Sequence, residues 1–225
     1  MHIMTAGKHI TSGVGAIMSV RFLIADPCPV TRAGIRHFLE DAAGTEVLGE
    51  AGDMEETLRL ASELRPDKIV LDPQLGEEVP DPIEEASLCR RLKSVPNPPS
   101  LSIYATHDSP AEIAMLARAG ADHYVHKRAS TEDLREAWQR DQAGESVWMV
   151  GAEQSALPRL LGMLQRAHLT TRQLEALVLL LRRYPDAQIA KKLHITLQTV
   201  KNHNATIFRK LGVSSRRELY NKFFT

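Results

Sequence analysis

The sequence has little of what marks a secreted mini-protein or a membrane span. Its 225 residues hold only two cysteines, Cys28 and Cys89. They give neither a disulfide framework nor zinc-ligand spacing, which suits a reducing cytoplasm. The longest apolar run, Ala176–Leu181, falls far short of the roughly 18 residues that cross a bilayer. Aromatics are few, at 5% of residues, within an otherwise ordinary globular composition. There is no internal repeat, low-complexity tract or glycine-rich nucleotide loop. Net charge is also lacking, but only as a sum of opposites. Gln165–Thr225 carries 12 Lys/Arg against 3 Asp/Glu, and the rest of the chain carries 16 against 25. An acidic part joined to a basic part suggests a regulatory module attached to one that binds a polyanion.

Organisation follows the same division. Residues 1–17 are rich in Gly, Ser and Thr without an apolar period, and are expected to be a disordered extension or leader. Val20–Ala25, Val47–Glu50, Lys68–Leu71, Leu101–Ala105 and His123–His126 read as strands separated by helical stretches. That alternation predicts a flavodoxin-like α/β domain over 18–148, with a five-stranded parallel sheet and its chemistry at the carboxyl ends of the strands. Residues 149–166 read as a linker. From Leu169 helical signals dominate. Thr170-Thr-Arg-Gln173 and Ser215-Arg-Arg-Glu218 fit capping boxes, and Gly212 supplies a stop. Residues 167–225 are therefore expected to form a small all-α, four-helix domain.

Within it, a short helix at about Asp186–Leu193, a turn at His194-Ile195-Thr196 and a longer helix at about Leu197–Leu211 have the helix-turn-helix signature. The longer helix presents Gln198, Lys201, Asn202 and Arg209, side chains with the donors that base edges and phosphates require. Lys191, Lys192, Lys210, Arg216 and Arg217 surround it as phosphate-contact candidates. The plain reading, a solvated helical face, is weakened by the local charge excess.

Leu169-Thr170…Arg172…Glu175, Gln188-Ile-Ala-Lys-Lys-Leu193, Thr199-Val-Lys-Asn-His203 and Arg209-Lys-Leu-Gly-Val213…Ser215-Arg216 together resemble the LuxR-type DNA-binding domain. The resemblance implies a homodimer joined through the last helix that reads a pseudo-palindrome in double-stranded DNA. It puts Lys201, Asn202 and Ala205 at base-contact positions, and Thr199, His203 and Ser215 at backbone-contact positions. Two residues depart from the pattern: Asn204 on a usually apolar inner face, and Arg183 where glycine is usual.

In the first domain, Asp26, Asp72 and Lys127 end the first, third and fifth strands and so should converge on one sheet edge. A single strand-end Asp is most simply a loop cap, but two carboxylates and a cation together suit phosphoryl chemistry. Ile24-Ala-Asp-Pro27, Val70-Leu-Asp72 and Ala119-Gly-Ala-Asp122…Tyr124…Lys127 resemble response-regulator receivers. With the C-terminal match, the chain resembles a NarL/FixJ-type response regulator. The resemblance makes Asp72 the phospho-acceptor, Lys127 the phosphate-binding cation and Tyr124 the switch aromatic. It makes Asp26 and Asp72 the ligands of a weak magnesium site, the sole cofactor expected and that only if phosphorylation is retained.

The departures gather at this chemistry. Pro27 stands where a second acid is usual, Ala105 where a switch hydroxyl is usual (with Thr106 next to it), and Pro73 follows the acceptor. Magnesium prefers near-octahedral oxygen coordination, so losing a charged ligand weakens such a site. An atypical receiver is therefore expected, with impaired aspartyl phosphorylation, and a sensor kinase or a small ligand as its input. Cys28 beside the pocket is most simply an ordinary loop thiol. His107, His123 and His126 are expected near the same edge without forming a metal cluster. The alternatives are a conventional phosphorylation-dependent regulator using Asp72, an enzyme on the flavodoxin-like fold, and a protein whose basic face binds RNA or a protein partner. No nucleophile–base pair supports the enzyme, and no membrane contact is expected.

Overall fold

A computed structural model describes residues 19–76, 81–107, 109–149 and 157–224. The expected N-terminal leader and part of the expected linker lie outside them. The chain runs β1 (Val20–Ala25), α1 (Pro29–Glu40), β2 (Thr45–Ala51), α2 (Met54–Leu64), β3 (Lys68–Leu71), α3 (Pro82–Lys93), β4 (Ser100–Ala105), α4 (Pro110–Arg118), β5 (His123–His126), α5 (Thr131–Gln142) and β6 (Trp148–Met149). Then follow α6 (Leu157–Arg166), α7 (Thr171–Leu181), α8 (Asp186–Lys192), α9 (Leu197–Leu211) and α10 (Arg216–Phe224).

The strands pair in parallel in the order β2-β1-β3-β4-β5-β6. Successive strand residues face opposite sides of a sheet. Phe22 and Ile24 pack with Leu39, Ile35, Phe38 and Trp138 of α1 and α5, whereas Leu23, Ala25, Ile69 and Leu71 join the cluster formed with α2, α3 and α4. The parallel sheet with helices on both faces is the expected fold, with one addition. Trp148 and Met149 form a sixth strand against Tyr124 and Val125, where the sequence reads as the start of a linker. Two residues are too few to show a strand period, which hid this edge. The rest of the expected linker includes the ten-residue helix α6.

Helix starts follow local chemistry. Pro29, Pro82 and Pro110 each occupy the first position of a helix, where the missing N–H costs nothing. Asp53 caps α2 through the Glu56 N–H, and reciprocal capping boxes open α5 (Ser130/Asp133) and α7 (Thr170/Gln173). At α10 the Ser215 hydroxyl accepts from the Glu218 N–H, but Glu218 reaches back to the Ser214 N–H rather than to Ser215.

The C-terminal helices bury Leu177, Val178, Leu181, Ile189, Leu193, Val200, Ile207, Leu211 and Leu219 in one core. That core is continuous with the α/β domain through α4, which packs against α6 and α7. Among the described residues, no helix is long and apolar enough to cross a membrane.

Candidate functional site

Asp26, Asp72 and Lys127 follow β1, β3 and β5, and each backbone N–H continues its strand's ladder: to Ala51 O, Ala25 O and Ala105 O respectively. The three side chains meet. Lys127 Nζ lies 2.7 Å from Asp26 Oδ2 and 2.5 Å from Asp72 Oδ2. Asp26 is 1% exposed and Asp72 5%, so both carboxylates are withdrawn from bulk water. Burial works against the charged ammonium, but its bonds to Asp26 and Asp72 outweigh that and raise the Lys127 pKa.

The other oxygen of each carboxylate is used by a local turn. Asp26 Oδ1 accepts from the Cys28 N–H at 2.8 Å, and Asp72 Oδ1 from the Gln74 N–H at 2.9 Å. Both are Asp-Pro-X turns. Proline removes the N–H at the middle position, and the carboxylate turns to the next one. Pro27 thus leaves no acid next to Asp26, and its turn commits one oxygen of Asp26 to the backbone. Asp26 and Asp72 are the residues that would hold a divalent cation. Asp26 Oδ2 is buried without a hydrogen-bond partner and could face a cation, but two carboxylates already paired with an ammonium fall short of magnesium's demand for oxygen ligands.

Ala105 is buried at the end of β4 and Thr106 is exposed. Tyr124 is fully buried, and its hydroxyl donates to the His107 carbonyl oxygen at 2.7 Å. Lys127 also stands over the Tyr104 ring at 5.9 Å, a neighbour that the strand pattern alone does not single out. Cys28 is exposed at the start of α1, and hydrogen bonds from the Thr31 backbone and side chain and the Val30 backbone lower its thiol pKa. Cys89 is buried, its thiol pushed up to about 12 by burial.

The histidines do not share one edge. His126 and His107 lie at the carboxyl side, but His123 begins β5 at the opposite end and pairs with Asp141 at 3.1 Å. The strand rises over three residues between them, which separates the two ends. No group of three or more His, Cys, Asp or Glu suited to a metal occurs among the described residues.

The second site is the face of α9. Thr196 caps it by accepting from the Thr199 N–H, and Gly212 ends it in the left-handed region at φ 65°. Val200, Asn204, Ile207 and Leu211 point inward, so Gln198, Lys201, Asn202, Ala205 and Arg209 are left exposed on the outer side. Gln198 donates to Asn202 Oδ1 at 3.1 Å, one turn apart. His203 is half-buried, and the Thr199 hydroxyl contacts that of Thr196 at 2.8 Å. Asn204 donates to Asp186 Oδ1 at 2.9 Å, while its own Oδ1 is buried without a partner. The inner-face amide is therefore half satisfied. Arg183 adopts φ 64°, which explains why glycine suits that position, and its guanidinium lies over the Tyr220 ring at 5.2 Å.

Several basic candidates are engaged within the chain. Lys192 pairs with Asp81 of the receiver domain, Arg216 with Asp186 and the Tyr184 carbonyl, and Lys210 with the His168 carbonyl and Gln173. Ser215 serves as a helix cap. The sequence gives no sign of these pairings, because each partner lies far away along the chain.

Residues 22–139 match the response regulator receiver domain family, and residues 167–223 match the LuxR family of bacterial regulatory proteins. The chain is 32% identical over 206 residues to the response regulator protein VraR of Staphylococcus aureus strain Mu3, covering 89% of this chain and 94% of that protein. In fold it is similar to RcsB from Salmonella enterica serovar Typhimurium bound to promoter rprA in the presence of phosphomimetic BeF3−. There the TM-score is 0.64 at 22% identity, over 92% of this chain and 99% of RcsB. A two-component response regulator RcsB–DNA complex gives 0.57 at 24% identity, over 91% and 97%. The chain belongs to the NarL/FixJ-type response regulators, non-enzymatic DNA-binding transcription factors of two-component type that join a receiver domain to a LuxR-type helix-turn-helix.

Proposed function

We propose that this regulator binds double-stranded DNA as a homodimer through α9, and that its receiver signals without conventional aspartyl phosphorylation. The observation that carries the second part is the pair of Asp-Pro-X turns in the pocket. Each carboxylate commits one oxygen to an Asp-Pro-X turn, Lys127 hydrogen-bonds Asp72 and ion-pairs with Asp26, and Pro27 stands where a further acid would be. Phosphoryl transfer to a carboxylate depends on a cation that neutralises the phosphoryl oxygens. Here Lys127 supplies one positive charge, and position 27 adds no acid to hold a metal beside it. Ala105 adds to this reading, since a methyl group cannot hydrogen-bond a phosphoryl oxygen.

The exposed donors of Lys201, Asn202 and Gln198 support groove reading, and the basic surroundings support phosphate binding. Dimeric binding is what RcsB does in a structure of two RcsB dimers on two parallel DNAs. Residues 18–148 and 167–225 are proposed as the receiver and DNA-binding domains. The test is site selection from random duplexes by the full chain, with and without magnesium and a small phosphodonor. The expected result is an imperfect dyad bound equally well in both conditions. Binding that requires the phosphodonor would return Asp72 to the conventional role.

A further inference from the structure

The receiver and the DNA-binding domain are clasped by charges set around a buried histidine. Glu112 of α4, 7% exposed, accepts from Arg182 Nε at 2.7 Å and from Nη2 at 3.1 Å. Arg182 is the residue that closes α7, so this pair ties the two domains together. Glu112 has a second cationic neighbour. His107, in the loop after β4, places Nε2 3.8 Å from Glu112 Oε2 and 2.7 Å from Glu85 Oε2 of α3. The imidazole is held in place from the receiver side: Gln74 Nε2 lies 3.4 Å from Nε2, and the Tyr124 hydroxyl binds the His107 carbonyl.

Other charged groups among the described residues act on this cluster, including Lys192, which with Asp81 lies near Arg182. Besides Glu85 and Glu112, Asp72 acts on His107 from the end of β3. Cys89 and Arg90 of α3 act on or beside Glu85, and Tyr184 acts on Arg182. Arg90 itself pairs with Glu175 of α7 at 3.5 Å. Among the described residues, the buried carboxylates Glu85 and Glu112 thus lie between the permanent cation of Arg182 and an imidazole that is either neutral or charged.

We propose that His107 and Arg182 compete for Glu112, so that proton uptake by His107 loosens the clasp between the receiver and the DNA-binding domain. With His107 neutral, the acids Glu85 and Glu112 both draw on Arg182. A proton on His107 neutralises Glu85, adds a second cation beside Glu112, and sets a like charge near Arg182. The pull on Arg182 falls, more steeply than it would in water because the group is buried. Linkage requires the reverse effect in equal measure: docking of Arg182 disfavours the proton on His107. Burial opposes the charged imidazole, but Glu85 first, then Glu112 and Asp72, outweigh it, and the pKa lies above the ordinary 6.5. The clasp is thus closed at pH above that raised value and loosens as pH falls through it. Loosening also separates Lys192 from Asp81, which returns a cation to the DNA-facing surface. That last step rests on the DNA-binding reading, while the clasp itself does not.

The test follows the His107 imidazole by NMR against pH in the full-length protein and in Arg182→Met. Removing the competing cation should raise the His107 pKa by about one unit, the low end of ordinary site coupling. An unchanged or lowered value would overturn the proposal. In parallel, small-angle scattering should show the wild-type chain expanding as pH falls through the His107 pKa, and His107→Gln lacking that step. The same expansion in a folded His107→Gln protein would also overturn it. If His107→Gln does not fold, the Arg182→Met titration decides alone. Duplex binding at matched salt separates the two claims. A shifted titration without any pH-linked gain in binding upholds the clasp and counts against the role given to Lys192.

Discussion

The ammonium of Lys127 lies 2.7 Å from Asp26 Oδ2, an ion pair in which the carboxylate is 1% exposed. The same ammonium reaches Asp72, so one cation holds two buried acids. Lys127→Met should therefore destabilise the receiver by about 3 kcal/mol or more, because it leaves buried charge without a partner. Urea denaturation of the full chain measures this. A loss well under 1 kcal/mol would mean that the carboxylates are solvated and the pocket is open.

On the opposite edge of the sheet, Asp141 pairs with His123 and Lys68. Burial raises its carboxyl pKa, but the hydrogen bonds from His123 and Lys68 and their charges more than offset that and hold it below the ordinary 3.8. A depressed acid contributes stability that is present above its unfolded value and lost as pH falls through its folded value. Asp141→Asn should flatten the acid limb of the stability profile below about pH 4. Chemical denaturation at a series of pH values reads this out, and parallel acid limbs in both proteins would contradict it.

Thr170 opens α7 by accepting from the Gln173 N–H, and Gln173 answers by accepting from the Thr170 N–H. Thr170→Ala should cost about 1 kcal/mol. The loss should appear in the unfolding transition of the C-terminal helices, since α7 packs against α9 and α10. Thr170→Ser should recover most of it.

The two classes of basic residue should separate by salt. Lys201, exposed on α9, should cost about 1–3 kcal/mol on a selected site when changed to Ala, and little on scrambled DNA. Once the clasp is loosened and Lys192 is freed from Asp81, Lys192→Ala should weaken both duplexes alike and flatten the salt dependence by about one unit. Equal losses for Lys201→Ala on both duplexes would move Lys201 to the phosphate class and leave Asn202 as the leading base reader.

Much of this architecture is legible in the residues themselves. The strand-end positions of Asp26, Asp72 and Lys127 are read from short apolar runs, and parallel topology then brings them to one edge. Thr170, Ser130 and Gly212 act where local chemistry puts them. What stays hidden is set by partners distant along the chain. Glu112–Arg182 and Asp81–Lys192 join residues 70 and 111 positions apart, and no local period announces them. The sequence puts His123 near the same sheet edge as His107 and His126, but strand length carries it to the other end of β5. The doubled Asp-Pro turn lies between these cases: Pro27 and Pro73 are visible as departures, but their turning of Asp26 and Asp72 onto the backbone is visible only in three dimensions.

The most direct measurement is intact-mass spectrometry of the pure full-length protein after treatment with magnesium and a small phosphodonor. Because Pro27 supplies no acid and both Asp-Pro-X turns commit a carboxylate oxygen to the backbone, the mass should stay unchanged, and Pro27→Asp should improve magnesium binding. A stoichiometric, base-labile phosphoryl adduct on the wild-type chain that disappears in Asp72→Asn would contradict the account.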